Sequence, residues 1–210
     1  MITLYTGSPG SGKSYNCIVY MIEWLSKKEN NFVLANFSID LEKYRNFKKL
    51  RGRFIRIYDE DINTNYVIEF SKKYLKPGIE SQALLVIDEA MLYFNSREWL
   101  KDKSRKDWIK FLSQHRKFGF DIIFICQNDR QIDRQIRALV EYEKVHRKVN
   151  NTKLLKNFPI TLFAVITRWY VINTKIDSTI IRYKEKYGKL YDTFNTFNYD
   201  KHDIDQNDKS

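Results

Sequence analysis

The chain has 210 residues, of which 43% are apolar and 30% are charged. This length allows one domain whose core needs no disulfide or structural metal, and this composition excludes wholesale disorder. The net charge of +11 favours a polyanionic partner, either nucleic acid or an anionic membrane face. No apolar stretch of the sequence approaches the ~20 residues that a membrane-spanning helix needs.

Strands and helices alternate over the first 140 residues. Continuous apolar runs predict strands at residues 1–6, 32–37, 54–58, 83–87 and 121–126. Apolar residues at helical spacing predict helices at about 13–27, 66–74 and 104–118, and a further helix marked by Ile132, Ile136 and Leu139. This alternation predicts an α/β fold with a mostly parallel sheet.

The last third of the chain has a different character. From about residue 142, threonine and aromatic residues are enriched and no long helical pattern occurs, which predicts a C-terminal β-ribbon appended to the same domain. The polar stretch 198–210 is predicted to be a disordered tail. We therefore expect one domain over residues 1–197.

Residues 7–14 match the Walker A pattern G-x-x-x-x-G-K-[ST] in full, as Gly7, Ser8, Pro9, Gly10, Ser11, Gly12, Lys13 and Ser14. The match follows a predicted strand and opens a predicted helix, as a phosphate-binding loop requires. Backbone N–H groups would surround a phosphate, Lys13 would reach the β- and γ-phosphates of ATP, and Ser14 would hold Mg²⁺. We predict a nucleotide site over residues 7–15, which ends at Tyr15.

Two acids follow the predicted strand at 83–87 and form the Walker B pattern. Asp88 is predicted to complete the Mg²⁺ shell beside Ser14, and Glu89 to polarise a water molecule as a general base. The pair at 59–60 is a competing candidate, but the strand before it carries Arg56 and suits a sheet edge, whereas Mg²⁺ must lie against a central strand. An acid beside the Mg²⁺ ligand favours ATP hydrolysis over a small-molecule kinase reaction.

Three further side chains are candidates for catalysis. The strand at 121–126 delivers Gln127 to its carboxyl end, where ligands of open α/β sheets bind, so its amide could contact the γ-phosphate or the attacking water. Arg130, Arg134 and Arg137 are spaced to share one helix face, and Arg134 or Arg137 could act on a neighbouring subunit as an arginine finger. A polar strand cap and a solvated or partner-docking basic face remain open as alternatives.

Four segments together resemble the zonula occludens toxin (Zot) family, whose phage members are filamentous (inovirus) assembly proteins. They are the Walker A loop, LLVIDEA at 84–90, HRKFGFDIIFICQN at 115–128 and RQIDRQIRALVEYE at 130–143. The family pattern falls on His115, Arg116, Gly119, Asp121, Gln127, Ile132, Asp133 and Arg137. The closing segment at 187–194 resembles the end of the family's ATPase domain, where the chain pairs back as a β-ribbon, so the resemblance covers about residues 1–197.

The resemblance implies a three-layer, RecA-like P-loop NTPase core, in which the strand before Gln127 lies between the Walker A and Walker B strands. It also implies a homo-oligomer on the cytoplasmic side of the host inner membrane, working with other phage assembly proteins and with single-stranded DNA or a packaging complex. Family members usually continue into a transmembrane helix, which this sequence does not contain, so membrane contact is expected through a segment absent from this chain.

The expected function is therefore Mg-ATP binding and hydrolysis that drives assembly and extrusion of filamentous single-stranded DNA phage. Two alternatives remain open at this point. One is a nucleotide-binding assembly platform that does not hydrolyse ATP, and the other is a DNA translocase of plasmid-transfer or packaging type. Turnover would separate the first alternative from the expected function, and stimulation by single-stranded DNA would favour the second.

Overall fold

A computed structural model describes residues 1–27, 31–44, 49–95, 104–151 and 159–191. Eight strands form one sheet: β1 (Ile2–Thr6), β2 (Phe32–Ala35), β3 (Arg53–Arg56), β4 (Ala83–Ile87), β5 (Phe120–Ile125), β6 (Tyr142–Lys148), β7 (Leu162–Trp169) and β8 (Thr174–Arg182). Five α-helices are α1 (Lys13–Lys27), α2 (Thr64–Tyr74), α3 (Arg105–Gln114), α4 (Arg134–Arg137) and α5 (Glu185–Gly188). The predicted tail at 198–210 lies outside the described residues.

The strand order in the sheet is β3-β2-β4-β5-β1-β6-β7-β8. The first five pairings in this order are parallel, after which β7 pairs antiparallel with β6, and β8 pairs antiparallel with β7. Since β5 separates β1 from β4, the strand before Gln127 lies between the Walker A and Walker B strands, as expected. The ribbon that begins at β6 continues the main sheet, because β6 pairs directly with β1.

Side-chain alternation along the central strands builds a core on each face of the sheet. In β4, Leu84 and Val86 join the cluster under α1, whereas Leu85 and Ile87 join the cluster under α2 and α3. All residues of β1, β4 and β5 are buried, as expected for parallel strands covered on both faces. The expected three-layer α/β fold is therefore confirmed.

The segment after β5 differs from its prediction as one helix. It forms a 3₁₀ turn at Asp129–Gln131 and then the single turn α4. Between them Ile132 makes an isolated bridge with Asn95, and the side chain of Asp133 caps α4 by accepting from the N–H of Gln135 at 2.9 Å. This extended step breaks the helical path, so Arg130 does not share a helix face with the arginines of α4.

The closing segment at 187–194 is described only as far as residue 191, and this part differs from the expected β-ribbon, while the remainder lies outside the described residues. Residues 185–188 form the helical turn α5, and the carbonyl oxygen of Leu190 accepts from the N–H of Asp40 at 2.9 Å. Leu190 is buried in the cluster under α1, and Tyr187 stacks on Tyr44. Apolar burial against the loop after β2 therefore replaces strand pairing. Within the described ranges, no helix combines the length and the apolar composition that crossing a membrane demands.

Candidate nucleotide-binding site

The loop between β1 and α1 has a backbone shape that only glycine permits at two positions. Gly7 and Gly12 have φ angles of 142° and 93°. A Cβ at Gly7 would clash with the carbonyl oxygen of His146, and one at Gly12 would lie 2.6 Å from the ring of Phe163. The loop is thus pressed between β6 and β7, which holds it in a curled form at the carboxyl end of β1.

Lys13 is the first residue of α1 and bends back over the loop. Its ammonium group donates to the carbonyl oxygens of Gly7 at 2.9 Å and Ser8 at 3.2 Å. Partial burial lowers the pKa of Lys13, while the nearby carboxylates of Glu89 and Asp88 act in the opposite direction. The hydroxyl oxygen of Ser11 is buried and has no hydrogen-bond partner among the described residues. The curled loop therefore presents one cation and an unsatisfied hydroxyl beside a helix N-terminus, which fits a polyphosphate.

Ser14 and Asp88 come together at the edge of this loop. The Ser14 hydroxyl donates to Oδ2 of Asp88 at 3.1 Å. Asp88 is buried, and burial raises the pKa of its carboxyl group although the N–H of Glu89 and the hydroxyl of Ser14 donate to it. One hydroxyl and one carboxylate suit Mg²⁺, which takes few protein ligands when substrate phosphates and water complete its octahedron. The described residues contain no cluster of three or more His, Cys, Asp or Glu side chains for another metal.

Asn36 fixes the position of Asp88, a role that sequence reasoning missed. Its side-chain oxygen accepts from the N–H of Asp88 at 2.7 Å, and its amide nitrogen donates to the carbonyl oxygen of Asp88 at 2.9 Å. Tyr93 accepts from the same amide nitrogen at 3.3 Å and donates to Asp59 at 2.6 Å. Asp59, from the rejected acidic pair, therefore supports the Walker B strand end indirectly. Only the position of Asn36 just after a buried strand could have signalled this role.

Glu89 stands beside Asp88 in a left-handed backbone conformation, with φ 48° and ψ 45°. The side chain is half-buried, and no described residue makes a hydrogen bond to its Oε2. Burial, together with the negative charge of Asp88, raises the pKa of the Glu89 carboxyl group, against the opposing effect of Lys13. Asp88 is buried whereas Glu89 is half-buried, so the neighbouring acids occupy different environments.

Gln127 reaches the site through its backbone. Its carbonyl oxygen accepts from the N–H of Gly7 at 3.3 Å, and its side chain is exposed at the end of β5. Tyr191 is a further neighbour that sequence reasoning did not identify, since its hydroxyl hydrogen-bonds the Asp88 carboxylate. The sequence carried no signal for this contact because Tyr191 lies more than 100 residues from either Walker motif.

The arginines occupy a separate groove of about 670 Å³, formed with Tyr170 and Arg168 of the ribbon. Arg137 donates from Nε to the carbonyl oxygen of Ile132 at 3.0 Å and pairs with Asp129 at 3.5 Å. Arg134 is exposed at the start of α4. Neither arginine lines the cavity beside the phosphate loop, so the structure does not bring them together with Lys13 and Asp88 within one chain.

Several family-pattern residues lie at the opposite end of β1 from the phosphate loop. The amino group of Met1 donates to Asp121 at 2.7 Å and is 2.9 Å from Nε2 of His115. Arg116 pairs with Glu141 at 2.7 Å. These contacts hold β1, β5 and the segment before β6 together, so their geometry is that of structural support, not of a reaction centre.

Comparison with known proteins agrees with this architecture. The family model described as zonular occludens toxin (Zot) matches residues 1–197. The gene 1 protein of Salmonella phage IKe is 29% identical over 191 residues, which cover 87% of this chain and 49% of that protein. The gene 1 protein of Enterobacteria phage M13 is 36% identical over 101 residues, or 48% of this chain and 28% of that protein. The chain thus spans about half the length of the first of these relatives, and its match to the second is shorter.

Solved structures support the fold. The N-terminal domain of zonular occludens toxin from Neisseria meningitidis aligns with a TM-score of 0.57 at 19% identity, over 91% of this chain and 98% of that one. The genome packaging NTPase B204 of Sulfolobus turreted icosahedral virus 2, in complex with ATP-gammaS, aligns with a TM-score of 0.51 at 16% identity, over 87% and 96%. The fold is therefore that of P-loop NTPases, and the chain belongs to the zonular occludens toxin (Zot) family.

Proposed function

We propose that this chain binds and hydrolyses Mg-ATP to drive assembly and extrusion of filamentous single-stranded DNA phage through the host membrane. The observation that carries the proposal is the contact between Ser14 and Asp88 at the rim of a complete phosphate loop. Walker A and Walker B residues are distant in sequence, and in this fold they meet where a nucleotide phosphate and its metal would lie.

Each residue of the site has a distinct task in this proposal. N–H groups of residues 7–15 bind the phosphates, and Lys13 exchanges its contacts with Gly7 and Ser8 for the β- and γ-phosphates. Ser14 and Asp88 hold Mg²⁺, and Asn36 keeps Asp88 in place. The metal supplies charge neutralisation on the phosphates when bound.

Glu89 is proposed to orient the attacking water and to accept its proton. Its raised pKa makes it a stronger base than a solvated glutamate, and its Oε2 has no competing donor among the described residues. Gln127 is proposed to sense the γ-phosphate through the loop, because its carbonyl oxygen holds the N–H of Gly7. If hydrolysis removes a contact between the γ-phosphate and the loop, the change would then be transmitted through Gly7 to Gln127 at the end of β5.

The biological role is supported by the family and by the source of the relatives. The relatives at 29% and 36% identity are both gene 1 proteins of phages, and the family resemblance implies an ATP-driven assembly machine. We propose that the chain works as a homo-oligomer on the cytoplasmic side of the host inner membrane, with other phage assembly proteins. The net charge of +11 suits contact with single-stranded DNA or a packaging complex.

Phosphate release from Mg-ATP, measured at several protein concentrations with and without single-stranded DNA, tests the enzymatic part. The wild-type chain should release phosphate, and Lys13→Ala should neither bind nor hydrolyse ATP. In cells that produce the phage encoding this chain, Lys13→Ala should stop virion release while phage single-stranded DNA still accumulates. ATP binding without turnover would instead favour a non-hydrolysing platform, and virion release by the variant would contradict the extrusion role.

A further inference from the structure

The phosphate loop opens into a cavity of about 250 Å³ whose far wall is aromatic. Gly12, Lys13 and Ser14 form the near side. The far side is formed by four rings, those of Tyr15, Phe163, Tyr183 and Tyr191. Anything that binds the loop through phosphates and continues into this cavity must place its non-phosphate part among these rings.

The rings are held in place by the ribbon and the segment after it. The hydroxyl of Tyr15 accepts from the N–H of Lys184 at 2.7 Å and donates to the carbonyl oxygen of Arg182 at 3.3 Å. The centroid of its ring lies 5.0 Å from that of Tyr183 and 5.7 Å from that of Phe163. These contacts join α1, β7 and the end of β8, so the cavity wall is a packed part of the fold.

Tyr183 is the ring with the most open surface. It is 40% exposed, although it packs against Tyr15 and against Gly188, where an added Cβ would overlap the Tyr183 hydroxyl. Phe163, by contrast, is 7% exposed and sits directly on Gly12. Tyr183 is therefore the cavity-lining ring with the most exposed surface for a flat ligand group, whereas Phe163 is buried against the loop.

The cavity contains few groups that could read the edge of a base. Among the described residues, those that line it include no aspartate, glutamate, asparagine or glutamine, and Lys13 is the only charged one of this set. Side-chain discrimination between adenine and guanine needs a donor or acceptor aimed at the base edge. Stacking on aromatic rings tolerates any base, because every base has a π-face.

We propose that this cavity binds the nucleobase of a nucleoside triphosphate by stacking, chiefly on Tyr183, and accepts adenine and guanine with little distinction. The proposal rests on the proposed nucleotide-binding function of the loop and adds the base subsite and its specificity. The proposal also assigns a function to the ribbon, because β7 supplies Phe163 and the end of β8 places Tyr183 beside the phosphate loop.

Titration calorimetry with ATP, GTP and inorganic tripolyphosphate, each with Mg²⁺, tests the proposal. Wild-type affinities for ATP and GTP should agree within about fivefold, because stacking is tolerant of base identity. Tyr183→Ala should weaken both nucleotides by about 5- to 150-fold, the range measured for loss of a stacked ring, and leave tripolyphosphate binding unchanged. Tyr183→Phe should bind like the wild type. Tyr74→Ala is the matched control, since Tyr74 is 46% exposed and packs on Phe32 and Phe70 of another part of the core.

The outcomes separate this inference from the function on which it rests. If the wild type binds neither ATP nor tripolyphosphate, the proposed function fails and the base subsite fails with it. If the wild type binds ATP and tripolyphosphate, but Tyr183→Ala leaves the affinity for each unchanged, the base subsite alone is wrong. The same conclusion follows if Tyr183→Ala weakens ATP and tripolyphosphate by the same factor. A wild-type preference for one purine of roughly 100-fold or more would also overturn the inference, because stacking cannot supply it.

Discussion

The hydroxyl of Ser14 donates a 3.1 Å hydrogen bond to Oδ2 of Asp88, although 74 residues separate the two in sequence. Ser14 is in the first turn of α1, and Asp88 follows β4. The strand order brings the ends of β1 and β4 to the same edge of the sheet, with β5 between them. The fold therefore brings together the Ser14 and Asp88 oxygens that we propose as Mg²⁺ ligands, and a hydrogen bond already joins them.

Replacing Asn36 should disturb the alignment of Asp88 with Ser14, because Asn36 holds the backbone of Asp88. Asn36→Ala takes away both hydrogen bonds to the backbone of Asp88 and leaves those buried groups without their partner. We expect the apparent affinity for Mg²⁺ in the presence of ATP to fall by about 10- to 100-fold, as for other residues that orient a metal ligand. The free energy of unfolding should fall by about 1–3 kcal/mol. Mg²⁺ titrations and chemical denaturation measure the two effects.

Tripolyphosphate binding in the absence of Mg²⁺ provides the control for Asn36→Ala. It depends on the loop and Lys13, whereas the hydrogen bonds of Asn36 go to Asp88, Tyr93 and Val86, so it should remain within a few-fold of the wild-type value. A variant that loses stability but keeps its Mg²⁺ affinity would show that Asn36 only stabilises the end of β4.

Glu89→Gln should separate ATP binding from hydrolysis. The amide keeps the shape of the side chain but cannot accept a proton from water, so kcat should fall by about 10²- to 10⁴-fold while the Kd for ATP stays near the wild-type value. Because burial raises the pKa of Glu89, turnover of the wild type should also begin to fall at a higher pH on acidification than for a solvated glutamate. Single-turnover phosphate release from pH 5 to 8 measures both.

Asp59→Asn is a useful comparison for Glu89→Gln. Asp59 accepts from Tyr93 and belongs to the acidic pair rejected as the metal site. Since Asp59 reaches Asp88 only through Tyr93 and Asn36, its replacement should lower kcat far less than Glu89→Gln does. Wild-type turnover by Glu89→Gln would place the general base elsewhere.

Local motifs allowed the phosphate loop and the Walker B acids to be located from sequence, because each depends on residues adjacent in the chain. The parallel sheet could also be anticipated from the alternation of apolar strands with helices and from the family resemblance. Asn36, Tyr183 and Tyr191 could not, since their roles depend on long-range packing that no periodic pattern encodes. The prediction that Arg130, Arg134 and Arg137 share one helix face was wrong for a similar reason. Ile132 pairs with Asn95, a distant residue, and this pairing overrides the helical spacing.

His146 should make stability depend on pH. It is 1% exposed behind the phosphate loop, and burial, together with the charges of Lys144 and Lys13, lowers its pKa from 6.5 to about 4. The unfolded chain therefore binds a proton before the folded chain does, so stability present above pH 6.5 is lost as the pH falls toward 4, by about 3 kcal/mol. Chemical denaturation at pH 7.5 and pH 4.5 measures this loss.

His146→Gln should be less stable than the wild type at pH 7.5 but lose less stability on acidification, because glutamine does not titrate. The difference between the two pH dependences isolates the histidine from the carboxylates that titrate in the same range. Equal losses in the two proteins would mean that His146 is hydrated or already protonated in the fold.

The last prediction concerns assembly, where the structure distinguishes the two candidate arginines. Arg137 is held within its own chain by Ile132 and Asp129. Arg134 is exposed, and among the described residues none forms an ion pair with it. The side chain of an arginine that acts on a neighbouring subunit must be free to extend away from its own chain. Arg134 is therefore the better candidate for a trans contact.

We expect the specific ATPase activity of the wild type to rise with protein concentration, because a trans arginine in P-loop enzymes contributes roughly 10³- to 10⁵-fold in rate. Arg134→Ala should remove this rise without weakening ATP binding. Arg130→Ala is the matched control, since Arg130 is exposed in the same groove but belongs to the preceding 3₁₀ turn. Light scattering on the same samples reports the oligomeric state. If oligomers form while specific activity stays constant, or if Arg134→Ala retains the full rise, then Arg134 lies on a solvated or partner-docking face and the trans mechanism is wrong.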